Sequence, residues 1–77
     1  MELTILAFAH TRESLGFSRR TVTCQPGDTP RTILAGIAPD AGTAALAVAI
    51  DGEYSSWDQP VGPAAKELAL IPPVSGG

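Results

Sequence analysis

Two strongly apolar stretches of this 77-residue chain lie near its opposite ends. Leu3, Ile5, Leu6, Ala7 and Phe8 form a nearly continuous run near the start, and Leu68, Ala69, Leu70 and Ile71 form another near the end. Each run starts after a glutamate, the second is stopped by Pro72-Pro73, and both are too short for a helix that buries all its sides. They read as strands packed in the body of a sheet. A chain this short forms one small domain over residues 1–77, and it leaves no room for a large enclosed substrate pocket.

Charge and cysteine content narrow the classes further. Five basic and eight acidic side chains give a net charge of −3 and a pI near 4.7. Arg19-Arg20 is the only basic cluster, so nucleic-acid binding is disfavoured. The apolar start is too short to span a bilayer and has no basic region before it, so neither a membrane partner nor a signal peptide is expected. Cys24 is the only cysteine, which excludes an internal disulfide and fits a reducing cytoplasm.

In chain order, residues 2–9 form the first strand. The polar stretch 10–17, ending in Leu15-Gly16, reads as a loose loop, and residues 18–24 are β-branched and alternating, hence a second strand. Gln25-Pro26-Gly27-Asp28 is a turn. Thr29 is an N-cap, Pro30 suits the first helical position, and Ile33, Leu34 and Ile37 share one helical face; residues 38–42 end this short helix. Residues 46–50 form a third strand. Asp51-Gly52 is a hairpin turn, residues 53–57 return as an edge strand, and 58–60 turn again. An irregular crossing at 61–65 leads to the last strand, 67–71. The expected class is therefore α+β: a mixed sheet of about five strands with one short crossing helix and an extended C-terminal tail.

The tail, Pro72-Pro73-Val74-Ser75-Gly76-Gly77, adds almost nothing to a core. Two prolines stiffen and extend the backbone, and the terminal glycines carry no Cβ, so surrounding groups can approach closely. From Val74 onward it extends roughly 13 Å, enough to thread a narrow channel in a partner. A Gly-rich end is also an ordinary chain terminus, so the dipeptide alone identifies nothing.

The whole pattern is more specific. Leu3 to Phe8 with Arg12-Glu13 and Gly16, the stretch Val48-Ala49-Ile50-Asp51-Gly52, and the strand and tail from Glu67 to Gly77 resemble the ubiquitin-like sulfur-carrier subunit of molybdopterin synthase, the MoaD type. The resemblance implies a ubiquitin-like β-grasp with the first and last strands parallel neighbours. It implies that an adenylating enzyme of the ubiquitin-activating type uses ATP to convert the Gly77 carboxylate to an acyl-adenylate, the only form in which the chain holds a nucleotide. A sulfur donor protein then yields a thiocarboxylate. Pro72, Pro73, Val74, Ser75 and Gly76 thread the large subunit, and sulfur passes to cyclic pyranopterin monophosphate to build the molybdopterin dithiolene. By the same resemblance the catalytic groups belong to the large subunit, so the carrier is not an enzyme on its own; two sulfurs per product require two charged carriers, and the resemblance implies a heterotetramer of two small and two large subunits. No cofactor is expected to stay bound.

Glycine suits such chemistry, because its acyl carbon is unhindered. The body offers no competing site: His10 reads as a loop histidine with no metal-ligand partners, Cys24 as a buried thiol, Asp51, Glu53 and Asp58 as solvated carboxylates, and Trp57 as an anchor for the edge strand. Phe8, Arg12, Leu70 and Ile71 are the candidate partner contacts, since an apolar patch at the root of a tail is a natural docking surface. Alternation divides Leu68 and Leu70 from Ala69 and Ile71, and either pair could face a partner. Ala65-Lys66-Glu67 departs from the family's Gly-Asp-Glu-like turn, Gly62-Pro63-Ala64 is one residue longer, and the helix is short and poor in charge. Two readings compete with the first: a related ubiquitin-like protein, which is either a carrier for thiamine or cysteine synthesis or a modifier joined to lysines, and a binding module with an inert tail.

Overall fold

The computed structural model describes residues 1–39 and 46–72. Five strands and two helices follow in the order β1 (Glu2–Ala7), α1 (Ala9–Leu15), β2 (Arg19–Thr23), α2 (Pro30–Ile37), β3 (Ala47–Ile50), β4 (Glu53–Ser55) and β5 (Glu67–Ile71). They build one mixed sheet in the order β2-β1-β5-β3-β4. The two apolar terminal runs are its centre: β1 and β5 are parallel neighbours, with Ala7 beside Leu70. This is the expected β-grasp arrangement.

Strand alternation explains the core. Leu3, Ile5 and Ala7 of β1, Leu68 and Leu70 of β5 and Val48 of β3 are all buried on one face. Ile33 and Leu34 of α2 cover them, with Val61 and Ala65 from the crossing segment. Residues of β5 are therefore pinned from both neighbouring strands and from the helix, where the hydrophobic contribution per side chain is largest.

Helix α2 begins as its sequence dictates. Thr29 accepts a hydrogen bond from the Thr32 amide (3.2 Å), the Thr29 amide donates to the Thr32 hydroxyl (2.9 Å), and Pro30 occupies the first turn. Its expected end at 38–42 lies partly outside the described residues; Ala38 is the C-cap. Asp51 (φ 50°) and Gly52 (φ 86°) make the tight hairpin between β3 and β4.

Residues 9–15 correct the expectation of a loose loop and of a single helix: they form α1, and β1 ends at Ala7 rather than at residue 9. The segment lacks an apolar stripe, so periodicity does not reveal it. Tertiary packing stabilises it instead, with Thr11 buried, Leu15 packed against the core, and Gly16 (φ 81°) capping through its amide to the Arg12 carbonyl (2.9 Å). β2 and β4 are also shorter than expected; residues 56 and 57 lie in a turn after β4.

Candidate functional site

The tail leaves the sheet at a defined place. β5 is the middle strand, and Ile71, its last residue, pairs with Ala47 of β3, beside the end of β1. Pro72, half-buried, is the last described residue; Pro73, Val74, Ser75, Gly76 and Gly77 lie outside the described residues. A group carried on this tail is thus tied to the middle strand of the sheet.

Around that root the two faces of the sheet differ. Register places Leu6 of β1, Ala69 and Ile71 of β5, and Ala47, Ala49 and Tyr54 of the β3–β4 hairpin on the face opposite α2. Phe8 follows Ala7 in extended conformation (φ −122°, ψ 153°) and continues the alternation onto this outer face, one step from Ile71 in register. Phe8 is 48% exposed and Tyr54 76%. The result is an apolar outer face at the tail root, with no helix over it among the described residues, which is the character of a docking surface. Leu70 has no part in it. It is fully buried in the core, so it offers no surface to a partner, because β5 alternation turns it toward α2. Ile71 is half-buried on the outer face.

Tyr54 was not singled out by sequence reasoning. The signal was present, since a two-residue Asp51-Gly52 turn fixes Ile50 opposite Glu53 and hence Ala49 opposite Tyr54.

Charge is also unequally divided along the strands. Arg12 of α1 and Arg19 of β2, opposite Leu6, are exposed at the tail-root end, together with Glu13 of α1. Glu2, Asp51, Glu53, Lys66 and Glu67 lie at the other end. A tail end carrying two arginines favours a partner with acidic groups around its entrance.

The remaining candidates are structural. Asp51 is more than a solvated carboxylate: its Oδ1 accepts from the Lys66 amide (3.1 Å) and the Glu67 amide (3.0 Å), fixing the start of β5. Of the altered loop 62–66, these contacts hold its last residue, Lys66. Trp57 donates from Nε1 to the Leu46 carbonyl (3.0 Å) and packs on the core, so it is an anchor. Asp58 pairs in two-pronged fashion with Arg31, through Nε (2.8 Å) and Nη2 (3.3 Å). The hydrogen bond from Arg31 holds the Asp58 carboxyl below its ordinary pKa, and the reciprocal bond raises that of Arg31. Cys24 is a buried free thiol, and His10 lies within α1 rather than a loop. No helix among the described residues is long and apolar enough to cross a membrane.

A β-grasp sheet whose central strand runs into a Pro-Pro-Val-Ser-Gly-Gly sequence defines a ubiquitin-like carrier domain. The ThiS family model matches residues 5–77, and the chain belongs to that family; it is a ubiquitin-like sulfur carrier of the ThiS/MoaD type. Solved structures agree on the fold. SAMP1 of Haloferax volcanii is 26% identical, with a TM-score of 0.77 and 100% of both chains covered. A Pyrococcus furiosus protein assigned as molybdopterin converting factor, subunit 1, is 21% identical, with a TM-score of 0.76 over 96% of this chain and 99% of that one. A chain in the complex of subunits 1 and 2 of molybdopterin-converting factor from Helicobacter pylori is 20% identical, with a TM-score of 0.63 and 100% of both chains covered. Among curated proteins none matches the chain.

Proposed function

We propose that this chain is the sulfur-carrying small subunit of molybdopterin synthase, with Gly77 as the carrier residue. The observation that supports this most is the sequence Ile-Pro-Pro-Val-Ser-Gly-Gly running directly out of β5, the central strand that parallels β1. Membership of the ThiS family and the likeness to molybdopterin converting factor subunits support it as well.

The chemistry follows from what a glycine carboxylate lacks. It is anionic, and oxide is a poor leaving group. An adenylating enzyme transfers AMP from ATP to the Gly77 carboxylate, releasing pyrophosphate and leaving AMP as a good leaving group. The terminal sulfur of a donor persulfide attacks the acyl carbon and AMP departs. A thiol then cleaves the sulfur–sulfur bond, and Gly77 retains the sulfur as –C(O)S⁻. With no side chain at residues 76 and 77, the acyl carbon is open to attack inside a narrow channel. The large subunit receives Pro72 to Gly77, while Phe8, Ile71 and Arg12 dock the body. Two charged carriers serve each dithiolene formed from cyclic pyranopterin monophosphate.

The test is reconstitution with a large subunit, an adenylating enzyme, ATP, a persulfide donor and cyclic pyranopterin monophosphate. Molybdopterin should form, and deletion of Gly77 or Gly76→Val should abolish it while the domain stays folded. Normal product from Gly76→Val would refute the narrow-channel account. A second reading is favoured by the 26% identity to SAMP1, the small archaeal modifier protein 1 of Haloferax volcanii. In it a lysine amine, rather than a persulfide, attacks the same acyl-adenylate. A carrier for thiamine or cysteine synthesis would be charged identically and fail only at the acceptor.

A further inference from the structure

The edge of the sheet formed by β2 has a second set of features, remote from the tail chemistry. β2 is the last strand on its side of the sheet. At its two ends, the Ala7 amide donates to the Ser18 carbonyl (3.0 Å), and the Cys24 amide donates to the Met1 carbonyl (2.8 Å). In an antiparallel pair such bonded positions recur every second residue, so Arg20 and Val22 also bond toward β1. Arg19, Thr21 and Thr23 therefore point both N–H and C=O away from the sheet, and no backbone hydrogen bond closes that edge among the described residues.

Beside this edge lies a cleft of about 230 Å³ between β2 and α2, lined by Val22, Cys24, Ile33, Gly36 and Ile37 together with the polar residues Thr23, Thr32 and Asp28. Val22 pairs with Leu3 and Arg20 with Ile5, both core residues, so Val22 and Arg20 share the cleft side of β2. Arg20 precedes Val22 by two residues on β2, on the side of the strand away from Cys24 and Asp28 in chain order, and its guanidinium lies 6.0 Å from the Phe17 ring centroid. On the helix side Gly36 leaves open space, since a Cβ built there meets nothing within 4 Å.

We infer that β2 and this cleft accept an extended segment of a protein partner as an added edge strand, with alternate apolar side chains entering the cleft and an acidic residue reaching Arg20. Unpaired backbone groups supply the hydrogen bonds, and Val22, Ile33 and Ile37 of the mixed lining take every second side chain. Charge fixes the polarity of the occupant. Asp28 repels a carboxylate at one end, and Arg20 attracts one at the other. A second copy of β2 does not fit, because Arg19-Arg20-Thr21-Val22-Thr23 brings two cations and no acid.

The experiment is an amide NMR titration of the full chain with the blocked hexapeptide Asp-Asp-Val-Thr-Val-Thr, its reverse-order form, and a lysine-for-aspartate control. Saturable shifts should appear at residues 19–24 and 33–37 and spare Phe8, Ile71 and Tyr54. Arg20→Glu should weaken binding about tenfold. Thr21→Pro removes an outward N–H without taking a ladder bond, and it should abolish binding with spectral dispersion retained. Gly36→Leu, a change that favours the helix, should block the cleft and abolish binding without loss of fold. The inference fails if the lysine peptide binds equally well, if shifts map to the outer face, if Gly36→Leu binds normally, or if the unliganded protein self-associates through residues 19–23. None of these results depends on tail charging, which the same variants should leave intact.

Discussion

The two faces of the central sheet are built from the same strands, yet they do different work. On the inner face Leu3, Ile5, Leu68 and Leu70 are at most 1% exposed, and they hold the domain together. On the outer face Phe8 and Tyr54 stand in solvent, and Ile71, the last residue of β5, is half-buried. Strand alternation thus puts the neighbours Leu70 and Ile71 on opposite faces, the first in the core and the second on the outer face. The difference teaches that, in a domain of this size, core and surface lie one residue apart, so the docking role proposed for the outer face should be separable from the fold by mutation.

The sharpest way to break this comparison is Leu70→Ala. Removing a fully buried leucine should cost about 2–5 kcal/mol, comparable to the whole stability of so small a domain, and urea denaturation should show a largely unfolded chain. Replacing Phe8 and Ile71 together by aspartate should instead leave stability within about 1–2 kcal/mol, yet weaken binding to the large subunit by a hundredfold or more, read by calorimetry. Equal effects of the two changes on stability would erase the distinction between the faces.

Asp51→Ala sharpens the comparison along the strands. It leaves the Lys66 and Glu67 amides without their carboxylate acceptor at the start of β5 and should cost about 1–3 kcal/mol, with faster amide exchange at residues 66–68. The smallest effect belongs to the Arg31–Asp58 pair, which is exposed on both sides. Because folding lowers the Asp58 pKa, its contribution is complete above the unfolded value of about 3.9 and is lost as pH falls through the folded value. Asp58→Asn should remove this small contribution at pH 7, well under the effect of Asp51→Ala, and the variant and parent stability profiles should converge as pH falls through the folded Asp58 value.

Much of this was legible in the residues. β5 has the expected bounds, the Asp51-Gly52 hairpin forms as its dipeptide demands, and Thr29-Pro30 starts α2. The Gly-Gly tail, the candidate chemical centre, is purely a sequence feature. Two things were not legible. Helix α1 carries no apolar period, and only packing of Thr11 and Leu15 with the Gly16 cap forms it; Leu15-Gly16 after Arg12 was its one local signal. Alternation in β5 separates Leu70 from Ile71, but which of them meets α2 is decided by long-range packing.

The most direct test of the account is the intact mass of the untagged chain isolated from its own cells. A fraction heavier by one exchange of oxygen for sulfur, located at Gly77 by fragmentation, is the predicted result. Gly77 found only as a free carboxylate, even after incubation with ATP, a cognate adenylating enzyme and a persulfide donor, would contradict it.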